Sequence, residues 1–154
     1  MWLKIKPYVI SIGIALAVGG LSAILTADNM MIYQEIIRPT LAPPAFLFPI
    51  VWTILFVLMG ISSAIIYKSN EKSSSEALTI YAIQLVVNFF WSIIFFNLRN
   101  YLLALIWILL LWFLIIFMIY KFYGINKTAA LLQIPYLLWV TFATYLTFMI
   151  YLLN

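Results

Sequence analysis

The residues of this sequence that can act on a ligand are rings and amides. Phe48, Trp52 and Phe56 recur every four positions, which sets them on one face of a helix. Gln84, Asn88 and Ser92 repeat that spacing, with Trp91 and Phe95 alongside. Trp139, Ala143 and Thr147 repeat it again, with Leu146 adjacent. Stripes of large rings, one small residue and a few polar groups can line a pocket for a flat ligand, because such pockets are mostly apolar with a few placed polar groups. Ordinary packing between membrane helices produces the same stripes, with Gln84 and Asn88 bonding across helices. Spacing alone does not choose between the two.

The absent residue types narrow the chemistry further. The chain has no His and no Cys, so it offers no imidazole base, thiolate nucleophile, disulfide or His/Cys metal site. Its four acids, Asp28, Glu35, Glu71 and Glu76, all fall between the apolar runs. Proton- and cation-coupled transporters carry carboxylates inside their membrane helices, which disfavours that class here. Paired-carboxylate catalysis and metal-assisted hydrolysis lack material for the same reason.

The elements that must position the rings are membrane helices. Of 154 residues, 68% are hydrophobic and 8% charged, against roughly 25% charged in soluble domains. That balance excludes a soluble enzyme, a nucleic-acid binder and a disordered chain; the net charge of +4 reflects basic helix ends. A helix needs about 20 apolar residues to cross the hydrocarbon core. Five runs qualify: residues 8–27, 46–67, 77–97, 101–123 and 128–153. None alternates with period two, so the expected fold is an all-α integral membrane bundle of five transmembrane helices in one domain, 1–154.

The connectors are short apart from one. Ser73 and Glu76 have capping-box spacing before the third helix, and Gly124 sits where the fourth should be capped. Pro135 predicts a kink in the fifth helix. The exception is the loop 28–45, stiffened by Pro39, Pro43 and Pro44 and expected to fold over the bundle mouth. Ala15, Gly19 and Ala23 form a small-residue ridge for close packing, against either this chain or a second subunit. Lys4, Lys6, Lys68, Lys72, Lys121 and Lys127 fall on one side of a five-span topology, and Arg38 and Arg99 on the other. The positive-inside rule then makes the N-terminus cytoplasmic and turns the proline-rich loop outward.

Three ordered motifs carry a resemblance that covers nearly the whole chain. Arg38-Pro39-Thr40-Leu41-Ala42-Pro43-Pro44, followed by Phe48-Pro49-Ile50-Val51-Trp52-Thr53, is the first. Asn88-Phe89-Phe90-Trp91-Ser92 with Phe95-Phe96 is the second, and Pro135-Tyr136-Leu137-Leu138-Trp139-Val140-Thr141-Phe142-Ala143-Thr144 the third. Together they resemble the TspO/MBR family, the tryptophan-rich sensory and translocator proteins formerly described as peripheral-type benzodiazepine receptors. The resemblance implies a five-helix bundle, often dimeric, whose pocket is capped by the first loop. It implies binding of porphyrins such as protoporphyrin IX and of benzodiazepine-type ligands, with no required cofactor and no metal. It places Trp52, Asn88, Trp91, Trp139 and Ala143 in the pocket, with Tyr33, Pro44, Phe48, Phe56, Phe95 and Leu146 as neighbours. It links bacterial members to light- and oxygen-dependent porphyrin breakdown, for which the Trp52 and Trp139 pair would matter. The family often has Trp where this chain has Leu41, and Asn where it has Thr147. The cholesterol-recognition pattern lacks its basic residue after Tyr145 and Tyr151.

The leading expectation is a tetrapyrrole-binding sensor in a bacterial cell membrane, working as a homodimer and binding no nucleic acid, with enzymatic turnover left open. Arg38 or Arg99 would meet the porphyrin propionates. A carrier for hydrophobic small molecules or lipids and a regulatory membrane subunit are the alternatives.

Overall fold

A computed structural model describes residues 1–154, all but the loops helical. The elements run α1 (Trp2–Thr26), a 3-10 turn (Ala27–Asn29), α2 (Ile32–Glu35), α3 (Leu47–Ser69), α4 (Ser74–Ser92), a π-helical turn (Ile93–Asn97), α5 (Tyr101–Tyr123), α6 (Lys127–Leu132) and α7 (Ile134–Leu153). Five continuous segments are long and apolar enough to cross a membrane: Trp2–Asn29, Leu47–Ser69, Ser74–Asn97, Tyr101–Tyr123 and Lys127–Leu153. The protein is an all-α integral membrane bundle.

Helix α1 begins earlier than the apolar run because Lys4, Lys6 and Pro7 continue the helix beyond the hydrophobic stretch. Pro7 lies in the second turn of α1 and removes one bond of the ladder, that to the Leu3 carbonyl. The tight turns are set by asparagine caps. The Asn100 side chain accepts from the Leu103 N–H at 3.0 Å, and that of Asn126 from the Ala129 N–H at 3.0 Å, each satisfying a donor the helix start leaves free. The expected break near Pro135 occurs at Gln133, which separates α6 from α7 and leaves Pro135 in the first turn of α7, where its missing N–H has no helical partner to lose.

Two local expectations are corrected. Ser73 caps α4 by position but makes no side-chain cap bond. Glu76 instead pairs with Lys121 at 3.0 Å, so a charged partner on α5 displaces the capping box. Gly124 does end α5, but with right-handed backbone (φ −67°), so its conformational freedom is not used. The left-handed cap is Asn70 (φ 55°), after α3.

Helix α1 packs on α3, α3 on α6, α6 and α7 on α5, α5 on α4, and α4 back on α1, closing a ring. Lipid tails are as apolar as leucine, so this association rests on close packing and interhelical hydrogen bonds. At Gly60 both helices meet backbone to backbone: a Cβ there would lie 2.4 Å from Ile12 Cα. About two turns further along α1, a Cβ on Gly19 would meet the Phe56 ring at 2.5 Å, so a side chain already fills the space between the helices. The α1–α3 pair is in backbone contact at mid-span and separated by a ring toward the loop.

Gly60→Ala should therefore destabilise the protein by about 1–3 kcal/mol through overpacking. Gly13→Ala, whose added Cβ meets nothing within 4 Å, should be neutral. Thermal unfolding in detergent compares the two, and equal midpoints would contradict the backbone contact.

Candidate functional site

Toward the loop, the ring of helices encloses a cavity of about 510 Å³. Helix α3 supplies Phe48, Trp52 and Phe56, α4 and its π-helical continuation supply Asn88, Trp91 and Phe95, and α7 supplies Trp139, Ala143 and Leu146. Tyr33, from the short helix α2 in the loop, forms part of the roof. The i, i+4 stripes thus face one another across one space. Of the candidate binding residues, Pro44 alone is not in the wall. It is exposed, and its carbonyl accepts from the Leu47 N–H at 3.1 Å to start α3. Arg38 and Arg99 do not line the cavity either. Arg38 is held outside it, its guanidinium 4.6 Å from the centre of the Tyr33 ring.

Ring contacts hold the wall in shape. Tyr33 meets Phe48 edge-on at 5.0 Å, and Phe48 meets Trp139 at 5.8 Å, which joins roof, α3 and α7. Trp52 lies 5.6 Å from Phe56 and edge-on to Tyr136 at 6.2 Å. Trp91 stacks on Phe95 at 5.2 Å. Edge-on and offset arrangements are those the ring quadrupoles favour. Phe95 lies in the π-helical turn, where the Leu98 N–H reaches back to the Ile93 carbonyl at 3.0 Å. The extra residue in that turn shifts the register of the following side chains, as π-bulges at functional sites do.

Several polar groups of the wall are paired within the protein. Asn88 donates through Nδ2 to the Tyr136 hydroxyl at 2.7 Å, and Tyr136 donates to Gln84 Oε1 at 2.6 Å. Thr147 and Thr26 turn their hydroxyls back to Ala143 O and Ser22 O at 2.7 and 2.8 Å, so neither offers its donor to a ligand. The indole nitrogens of Trp91 and Trp139 are buried and have no protein acceptor. No carboxylate, lysine or arginine reaches the wall. The site can stack, enclose and hydrogen-bond, but it has no acid–base pair.

The roof is fastened at several points. Tyr33 donates to the Pro43 carbonyl at 2.6 Å across the loop. Asn154 brackets the Ile37 peptide, accepting from its N–H at 3.1 Å and donating to its carbonyl at 2.8 Å. Asn29 donates to Asn97 Oδ1 at 2.8 Å, while Asn97 donates to the Leu25 carbonyl at 3.1 Å. Burial raises the Tyr33 phenol above its ordinary value of 10.0, with the Arg38 guanidinium pulling the other way. Leu41, where the family often has Trp, is exposed and outside the wall.

Sequence reasoning missed the contribution of α1. Gly19, Ser22, Ala23 and Thr26 complete the wall opposite α7. The small-residue ridge carried a signal for them but reads equally as a packing seam. Tyr136 was missed as the link between Asn88 and Gln84 because a tyrosine in an apolar helix has no distinguishing pattern. A second, larger groove of about 820 Å³ runs along α4 past Glu71, Thr79 and Ile83, and none of the aromatic stripes contributes to it.

A five-span helical bundle with a roofed aromatic cavity defines a membrane protein built around an apolar chamber. Residues 11–153 match the TspO/MBR family. The chain is 39% identical to the tryptophan-rich protein TspO of Chlorobaculum tepidum, covering 98% of each, and 38% identical to that of Archaeoglobus fulgidus, covering 99% of each. It is 32% identical to the translocator protein of Bos taurus, over 92% of this chain and 88% of that one. The chain belongs to the TspO/MBR family.

Because burial raises the Tyr33 phenol, its proton should stay on beyond pH 10.0. The roof bond to Pro43 should then survive until pH passes the raised value and be lost above it. Arg38→Ala removes the stabilising cation and should move the titration higher still. Tyrosinate absorbance against pH, with Tyr33→Phe as the difference reference, tests this. A downward move would mean that Arg38 acts mainly by shielding Tyr33 from water.

Proposed function

We propose that this protein is a membrane receptor for porphyrins of the protoporphyrin IX type, which also accepts benzodiazepine-type ligands in the same chamber. The observation that carries the reading is the wall itself: Trp52, Trp91 and Trp139 with Phe48, Phe56 and Phe95 around about 510 Å³, and no charged side chain. Drug-sized ligands occupy pockets of about 300–1,000 Å³ lined in this way. Without His or Cys the wall offers a central metal no strong axial ligand. That favours recognition by stacking and shape and suits a metal-free ring. Asn88, tied through Tyr136 to Gln84, supplies a fixed amide at the wall. The unpaired indole donors of Trp91 and Trp139 favour a ligand carrying acceptors.

In this reading Trp52 and Trp139 flank the ligand; an indole gives one electron to the photoexcited ring, and dioxygen, as the terminal oxidant, oxidises the resulting porphyrin radical, giving light- and oxygen-dependent breakdown of low turnover. Propionates reach the loop end, where Arg38 is the available cation. The reading includes a homodimer in a bacterial cell membrane. The lysine-rich end, where Lys68 Nζ donates to the Lys4 carbonyl at 3.0 Å, faces the cytoplasm on the positive-inside rule.

Titration of the purified protein with protoporphyrin IX in the dark, followed by tryptophan quenching and the porphyrin band, should saturate. Each of Trp52→Phe and Trp139→Phe should weaken dark binding by up to about tenfold, since an aromatic pair contributes roughly 0.5–1.5 kcal/mol beyond area burial. The double variant should also lose light-driven bleaching. Saturable binding with bleaching unchanged in the double variant would leave a receptor and remove the photochemical role. No saturable binding would remove both.

A further inference from the structure

The walls of the cavity are not equally closed. Its roof is fastened by Tyr33, by Asn154 across the Ile37 peptide and by the Asn29–Asn97 pair. Its α4 and α7 sides present buried side chains, among them Asn88, Phe95, Ala143, Leu146 and Thr147. At the loop end Met30 and Phe46 line the cavity and are exposed, and the α1–α3 side is open along the helices themselves. Leu16, Gly20 and Ala23 fall at i, i+4 and i+7 on α1, and Pro49 and Thr53 at i, i+4 on α3. All five line the cavity and are at the same time exposed on the protein surface. A Cβ on Gly20 would meet nothing within 4 Å. These residues lie within the membrane-spanning segments Trp2–Asn29 and Leu47–Ser69. No side-chain hydrogen bond joins the two helices there. Thr53 bonds its own helix at Pro49 O, 2.7 Å away.

We infer that the chamber opens sideways into the bilayer, between α1 and α3, and that its ligands are amphipathic molecules dissolved in the membrane that enter through this mouth without lifting the roof. The reasons are geometric and energetic. The Gly60–Ile12 contact joins the helices backbone to backbone at mid-span, and toward the loop the Phe56 ring stands between them. A hydrocarbon-facing gap edged by Gly and Ala costs nothing to solvate with acyl chains. Opening the roof instead requires breaking several hydrogen bonds and exposing an aromatic lining to water. The mouth selects for chemistry as well: a ligand must partition into the hydrocarbon before reaching the rings. The inference holds whichever ligand fills the chamber.

The natural absence of cysteine permits a test that needs no ligand. Ala143→Cys places a single thiol in the wall, with Leu146→Cys as a second reporter should the first fail to fold. In lipid nanodiscs, the rate of thiol modification is compared for a bilayer-dissolved N-alkyl maleimide and a charged, membrane-impermeant thiol reagent. The alkyl reagent should react faster. Gly20→Phe, which sets a ring in the mouth, should slow it by about tenfold, and Thr53→Phe should slow it from the other side. Gly13→Phe, on the same helix outside the cavity lining, should leave the rate unchanged. Asn154→Ala, which releases the roof, should also leave it unchanged. Faster modification by the charged reagent, acceleration by Asn154→Ala, or indifference to both Gly20→Phe and Thr53→Phe would overturn the lateral mouth.

Discussion

Everything in this bundle depends on the contact of α3 with the backbone of α1 at Gly60. Lipid provides no hydrophobic drive for helices to associate, so the absence of a side chain there is itself a structural device. It lets the two helices touch backbone to backbone at mid-span. Toward the loop the Phe56 ring stands between them at Gly19. Beyond it the space becomes a chamber.

Inside the bilayer an unpaired polar side chain is costly, and several of the pairings made here shape the site. Tyr136 bridges Asn88 and Gln84, so α4 and α7 are held by hydrogen bonds at the level of the cavity. Trp107 donates its indole N–H to the Val87 carbonyl at 2.7 Å, tying α5 to α4. Threonines in the wall bond their own helices and present methyl groups. The outcome is a lining that is apolar in effect although several of its residues are polar by type. Such a lining suits ligand capture by stacking and gives acid–base catalysis nothing to work with.

The roof and the flank divide two tasks. The loop and the distal end of α7 are joined by directional bonds to backbone groups, which resist water and fix the aromatic contacts of Tyr33 and Phe48. The α1–α3 flank is joined by van der Waals contact alone beyond Gly60. Strong bonds where water would enter and weak ones where lipid already lies are what a chamber for membrane-dissolved molecules requires.

The sequence by itself determined the class of protein, the five spans and the stripes that became three of the chamber walls. Hydropathy and helical period are local properties, and in a membrane they leave little freedom. The motifs around Trp52, Asn88 and Trp139 were legible for the same reason. Which way the stripes faced was not, because one period fits an internal pocket and a packing seam equally well. The α1 wall, the Tyr136 bridge and the removal of Pro44 and Arg38 from the lining depend on the rotation of one helix against another and on how the loop folds back. The same holds for Glu76, whose capping role is lost to Lys121 on a helix distant in sequence. Those outcomes are set by contacts between segments far apart in the chain, so only the tertiary structure decided them.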